Sequence, residues 1–277
     1  MEKFYIITNY LKDEDYEITM RIKECIESYG KMCILCEKDD YENLIEDTIP
    51  DDIDCALVVG GDGTFIQASR KLFGRQVPML GINMGTLGYL TEVEVQNVES
   101  AIEQLMTGNY SIEKRMMLYG SVQDKLRDVA LNDIVICRSG SLRIVHFNLY
   151  VNGEFLNSYQ ADGIIVSTPT GSTAYNLSAG GPIVEPTASL LVVTPICSHA
   201  LNSSSIVLSD EDDIVIEIGS RRDNSVEEAA VTFDGADITQ LRTGEMVHIC
   251  KAREITKIVK LRKMSFLETL REKMKGN

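Results

Sequence analysis

The sequence predicts an α/β N-terminal domain with a parallel, Rossmann-like sheet, followed by an all-β sandwich domain. Three observations carry that expectation. Short apolar runs alternate with amphipathic segments from Lys3 to about Tyr110. Strand-like runs with turn punctuation take over from about Ile112. Asn152-Gly153, set between "NLYV" and "EFLNSY", is a strong hairpin signal because both turn positions need positive φ.

In order, "KFYIITN" reads as a strand and "EDYEITMRIKECIESYG" as a helix closed by Gly30. "KMCILCE" and "CALVVGG" are strands, "TFIQASRKLF" a helix, "VPMLGIN" a strand and "NVESAIEQLMTGNY" a helix. Strands interleaved with helices in this way indicate βαβ units, and the unbroken apolar run "CALVV" fits a strand covered on both faces. "MLYGSVQ", "RDVALNDIVICR", "DIVIEIGS", "AAVTFDGADI" and "EMVHICKA" belong to the second texture. The expected domains are residues 1–111, rejoined by a helical tail within 255–277, and residues 112–254.

Composition narrows the function classes. The 277 residues carry 42 acidic and 27 basic side chains, a formal net charge of −15. Such a surface repels nucleic acid and anionic bilayers, and no apolar run reaches membrane-spanning length. No secretory signal is visible at "MEKFYIITNY", and the seven cysteines are odd in number and scattered, so a cytoplasmic, reducing compartment is expected. Cys33 and Cys36 have metal-like spacing but lack a second ligand pair. His146, His199 and His248 show no triad or ligand spacing, and read as structural.

The chemistry-bearing stretch is "CALVVGGDGTFIQASRKLF". A strand running through Gly60, Gly61 and Gly63 into a helix start presents main-chain N–H groups to an anion, and Asp62 or Thr64 can cap the helix. The plain alternative is a tight turn. Beside phosphates, like charge pushes a carboxylate's pKa up, which suits Asp62 as a general base. No GxxxxGK[ST] P-loop occurs. "GINMGTLGYLTE" adds Gly81, Gly85 and Gly88, and "QADGIIVSTPTGSTAYNLSAGGP" adds Asp162-Gly163, Ser172, Thr173, Tyr175 and Ser178. Hydroxyls and glycines this dense in a loop indicate a ligand site.

"GGDGTF", "GINMGTLGYLTE", "LND", "ADGIIVSTPTGSTAYNLSAGGPIVEP" and "TPICSHAL" resemble the NAD kinases in order and spacing, over roughly residues 3–262. The long Asp162–Pro186 stretch is highly specific, whereas GGDG also occurs in diacylglycerol-type lipid kinases and 6-phosphofructokinases. The resemblance implies transfer of the ATP γ-phosphoryl group to the 2′-hydroxyl of the adenosine ribose of NAD, giving NADP, with Mg²⁺ or another divalent metal. It implies an active site where the domains meet, and a homotetramer built through the β domain. Asp62 takes the place of the family's proposed base, with Gly63 beside the substrate and Gly60, Gly61 and Thr64 in the phosphate loop. Asn132 matches the asparagine that holds the nicotinamide half. Asp162, Thr173, Ala174, Tyr175 and Ser178 match positions that grip ribose, amide and adenine. Tyr89 matches an aromatic lining the adenine pocket, and Arg143 a basic position facing phosphate. Two departures affect the contacts. Asp133 replaces the usual Glu of an Asn-Glu pair, and Gln160 replaces an Arg found in many relatives. Two other readings stay open: a lipid or sphingoid kinase of the same superfamily, and a nucleotide sensor without catalysis.

Overall fold

The structure, a computed structural model, describes residues 1–37, 48–85, 88–123, 125–140, 144–199, 204–220, 226–261 and 265–275. The chain divides into two compact units. One is Met1–Lys114 with Ile255–Asn277, and the other is Arg115–Glu254.

The first unit runs β1 (Lys3–Thr8), α1 (Glu17–Ser28), β2 (Met32–Leu35), β3 (Cys55–Gly60), α2 (Asp62–Lys71), β4 (Pro78–Asn83), β5 (Thr91–Glu94) and α3 (Val98–Met106). β2, β1, β3 and β4 lie side by side and all parallel. β5 extends the sheet parallel to β4. Every residue of β3 is buried, as a strand with both faces covered requires. Helices α1 and α3 bury Ile22 and Ile26, and Val98, Ala101, Ile102 and Leu105. This is the spacing of one apolar stripe. These side chains share a core with Phe4, Ile6, Leu57, Val59, Leu80 and Ile82.

In the second unit, β6 (Ser111–Val122) enters from the first, followed by β7 (Leu126–Ala130), β8 (Asp133–Arg138), β9 (Val145–Val151), β10 (Glu154–Ala161) and β11 (Gly163–Ser167). Then come the short α4 (Tyr175–Ser178), β12 (Leu190–Ile196), β13 (Ile206–Ser209), β14 (Ile214–Ile218), β15 (Glu228–Phe233) and β16 (Ala236–Arg242). One antiparallel sheet has the order β13-β12-β11-β8-β15-β16. The other aligns β10, β9, β14 and the first part of β17 (Met246–Lys260), while β6 pairs with β7. Phe147, Leu149, Ile214, Ile216 and Val247 from one sheet meet Ile134, Ile136, Ile164, Val166, Leu191, Val231 and Phe233 from the other in one core. The expected sandwich is what this unit forms. Its Asn152-Gly153 turn has φ of 52° and 81°, joining β9 to β10.

The last part of β17 returns to the first unit and lies parallel to β4 at Lys257 and Ile258. A final helix, α5 (Phe266–Met274), opens with a capping box in which Ser265 accepts from the Glu268 N–H. No described helix is long and apolar enough to cross a membrane.

One glycine shows how closely the sandwich is filled. A Cβ on Gly120 would lie 2.6 Å from a Phe233 ring carbon and 2.8 Å from Ile134 Cδ1. Gly120→Ala should therefore lower stability by about 1–3 kcal/mol through overpacking, read by urea denaturation. An unchanged midpoint would show that the core has slack here.

Candidate active site

Asp62 is the first residue of α2, and its carboxylate turns back across the sheet ends. Oδ2 accepts the Tyr89 N–H at 2.8 Å. Oδ1 accepts the N–H groups of Leu90 and Thr91, both at 3.2 Å, and the Thr91 hydroxyl at 3.0 Å. Every neighbour is a donor, so the group acts purely as an acceptor. The arrangement depends on Gly88: a Cβ there would sit 1.8 Å from Asp62 Oδ1.

The helix start differs from expectation in one respect. Neither Asp62 nor Thr64 caps α2. The N-cap is Gly61, in extended conformation, with no side-chain cap bond. Asp62 is committed to residues 89–91, and the Thr64 hydroxyl accepts from Asn9 Nδ2 at 3.1 Å. The first-turn N–H groups thus lack a capping side chain and remain suited to an external anion. Gly60 has a packing reason, since a Cβ would lie 2.4 Å from Thr64 Oγ1, whereas Gly63 faces open space. The Tyr89 ring packs against α5, 6.5 Å from the Phe266 ring and 5.3 Å from Lys273 Nζ.

In the second unit a cavity of about 470 Å³ gathers Asn132, Asp133, Ala174 and Tyr175 with Val135, Cys137, Thr232, Asp234 and Gly235. Four of the expected ligand residues therefore share one wall system. Asp162, Thr173 and Ser178 do not line it. Asp162 is paired with Arg138, Nε to Oδ1 at 2.8 Å. Thr173 follows the buried turn at Gly171 and Ser172, and Ser178 is exposed at the end of α4. The Gln160 side chain is also exposed, and its carbonyl accepts the His199 N–H. Arg143 lies outside the described residues. The His146 ring lies 2.8 Å from the buried Glu227 carboxylate, fitting a structural role. Among the described residues, no three His, Cys, Asp or Glu side chains converge as metal ligands.

The "LND" segment is held from two sides. The N–H groups of Leu131, Asn132 and Asp133 all donate to Asp234, at 2.7, 2.7 and 3.1 Å. Opposite, Thr168 donates its hydroxyl to the Leu131 carbonyl at 2.6 Å and its N–H to the Asn132 carbonyl at 2.8 Å. Gly171 belongs to the same clamp, because a Cβ would fall 2.2 Å from the Asn132 carbonyl oxygen.

The pattern of the ATP-NAD kinase N-terminal domain matches residues 5–110, and that of the C-terminal domain residues 131–261. An NAD kinase of Agathobacter rectalis is 49% identical, covering 100% of this chain and 99% of its own. One of Lachnospira eligens is 44% identical, covering 99% and 100%. The chain belongs to the ATP-NAD kinase family. It is an enzyme, a kinase. Two solved structures share its fold. Yeast NADH kinase complexed with NADH has a TM-score of 0.86 at 23% identity, covering 100% of this chain and 88% of that one. An Archaeoglobus fulgidus NAD kinase in complex with ATP has a TM-score of 0.80 at 24% identity, covering 99% and 98%.

Against this kinase fold, sequence reading missed Asp234-Gly235 and Arg138. Asp234 has φ of 51° and Gly235 of 76°, the turn that joins β15 to β16. "TFDGADI" carries that signal as a third Asp-Gly between strand-like runs, where the sequence indicates turn punctuation but no role at a site. Arg138 gave no local signal, since it meets Asp162 only through the pairing of β8 with β11.

Asp133 is 5% exposed, and its carboxyl group has no hydrogen-bond partner among the described residues. Burial, and then the charge of Asp234, push its pKa up to about 7. The unfolded carboxyl ionises near pH 4, so between about pH 4 and 7 the folded chain holds the extra proton and stability falls as pH rises. Asp133→Asn removes that slope. Its stability relative to wild type should improve by on the order of 2 kcal/mol from pH 5 to pH 8, and a constant difference in thermal melts would refute the shift.

Proposed function

We propose that this kinase transfers the γ-phosphoryl group of ATP to the 2′-hydroxyl of the adenosine ribose of NAD, giving NADP, with Asp62 as general base. The seating of Asp62 carries the reading. A carboxylate offers about four lone-pair sites, about two on each oxygen. Oδ1 receives three donors and Oδ2 only the Tyr89 N–H. Oδ2 thus keeps acceptor capacity for a hydroxyl proton, on a group whose orientation is already fixed.

The donor's phosphates fit the start of α2, where the main chain of Gly61 and Gly63 is bare and the helix dipole favours an anion. Gly60 and Thr64 serve that loop as braces. In the second unit the cavity falls within the usual range for ligand pockets, about 300–1,000 Å³. NAD fits there against Asn132, Asp133, Ala174 and Tyr175, with Asp162, Thr173 and Ser178 assigned by their match to the family motif. The unpartnered Asp133 carboxyl suits a ribose hydroxyl or an amide. The described residues do not form a cage for a metal. A divalent ion such as Mg²⁺ then accompanies the donor's phosphates, as is usual for this cation. Self-association as a homotetramer fits the edge position of β10, where Phe155 and Leu156 are 60% and 45% exposed.

Purified protein with NAD, ATP and Mg²⁺ should form NADP. Asp62→Asn should lower turnover at least about 100-fold while NAD affinity holds, with a thermal melt to separate loss of base from loss of fold. Equal turnover by the variant removes Asp62 from the role. Phosphorylation of a lipid alcohol in place of NAD, or NAD binding without turnover, replaces the reading. Phe155→Asp should shift sedimentation toward smaller species if β10 forms the assembly face. An unchanged profile excludes that face.

A further inference from the structure

The loop between β1 and α1 carries a cation whose position neither the motifs nor the mechanism explains. Lys12 Nζ lies 3.5 Å from the point where a Cβ would stand on Gly61, and 3.5 Å from the same point on Gly85. One ammonium group therefore sits beside the main chain of both glycine-rich loops of the first unit. The loop that presents it is anchored at each end. The Asn9 N–H donates to the Val59 carbonyl at 2.8 Å, and the Asn9 amide donates to Thr64 Oγ1 at 3.1 Å. The Lys12 N–H closes a turn onto the Asn9 carbonyl at 3.0 Å. Asp13 accepts from the Ile18 and Thr19 N–H groups and the Thr19 hydroxyl, at 3.1, 2.9 and 2.7 Å.

The ammonium group has no carboxylate partner among the described residues. Lys3, Lys23, Lys31, Lys125, Lys251, Lys260 and Lys275 each have one, while Lys114, Lys257 and Lys273 share the lack of one. What sets the exposed Lys12 apart is its place between two glycine-rich loops. In a chain with 42 acidic and 27 basic residues, a lysine set over two bare stretches of main chain is placed to receive an anion. The start of α2 offers only about half a positive charge, too little for a triphosphate against the net field of the protein. A lysine adds a full charge at the right place, and as a flexible point charge it suits a phosphate. There is also room for the rest of a donor. Gly85 forms part of an open groove of about 560 Å³ with Ile18, Arg21, Met84, Glu94 and Gln96, in which the Glu94 carboxylate is engaged by the Gln96 and Asn97 amides. Arg21 is occupied by Glu99 and the Val95 carbonyl, so the cation at the Gly85 end is Lys12.

We propose that Lys12 binds the phosphoryl donor, its ammonium group holding the terminal phosphates of a nucleoside triphosphate beside Gly61 and Gly85. The assignment rests on the phosphotransferase reading above and adds to it the residue that supplies the donor's countercharge. Lys12→Met keeps the length and removes the charge, and Lys12→Arg keeps the charge. In wild type, NADP formation is measured first. Lys12→Met should then raise the KM for ATP by about ten-fold or more while the KM for NAD holds, and Lys12→Arg should recover most of the loss. Calorimetric titration with a non-hydrolysable ATP analogue and Mg²⁺ should show the same loss of affinity, with wild-type binding weakening as salt rises. Unchanged KM and analogue affinity in Lys12→Met overturn the proposal, and so does an equal loss toward NAD and ATP. If wild type forms no NADP, the phosphotransferase reading fails on its own. The titration still decides Lys12, since analogue affinity lost with the charge supports the site and affinity retained ends it.

Discussion

A single carboxylate gathering consecutive main-chain amides is the constraint on which the first unit's functional end depends. The N–H groups of residues 89, 90 and 91 converge on Asp62, drawing the chain before β5 over the start of α2. Such bonds to a charged acceptor are each worth roughly 1.5–3 kcal/mol, enough to hold a loop rich in glycine. Two glycines nearby have packing reasons of their own. Gly60 makes room for Thr64, and Gly88 makes room for the carboxylate itself.

The second unit uses the same device for a different purpose. Asp234 collects the amides of residues 131, 132 and 133, but it does so from a hairpin turn rather than a helix start. Its work is to fix Asn132 and Asp133 at the cavity wall. The remaining Asp-Gly pair, Asp162-Gly163, is bound differently. Asp162 meets a guanidinium, and Gly163 allows close strand approach, since a Cβ would lie 2.6 Å from the Ile136 carbonyl oxygen. One dipeptide thus performs three structural tasks, chosen by its surroundings rather than by its own sequence.

That context dependence marks the limit of what could be read before the fold was known. The βαβ alternation, the buried run of β3 and the Asn152-Gly153 hairpin are local signals, and each element formed where its periodicity or turn chemistry placed it. Asp62 and Tyr175 stand out among clustered glycines and hydroxyls, whereas Asn132, Asp133 and Ala174 are singled out only by the family resemblance; the four of these in the second unit share one cavity. What stayed hidden depends on residues far apart in sequence. The partners of Asp62 are 27 to 29 residues away, and Arg138 meets Asp162 through strand register alone. Helix capping was misjudged for the same reason, because a distant set of amides outcompeted the local N–H groups for the Asp62 side chain.

Asp133 gives the second unit a point of linkage between binding and folding. Its carboxyl group lines the cavity with no hydrogen-bond partner among the described residues, so a compound with a matching polar group would gain a bond there that the folded chain alone offers. Occupancy and folding are then linked by mass action: any such compound binds the folded chain and protects it against unfolding.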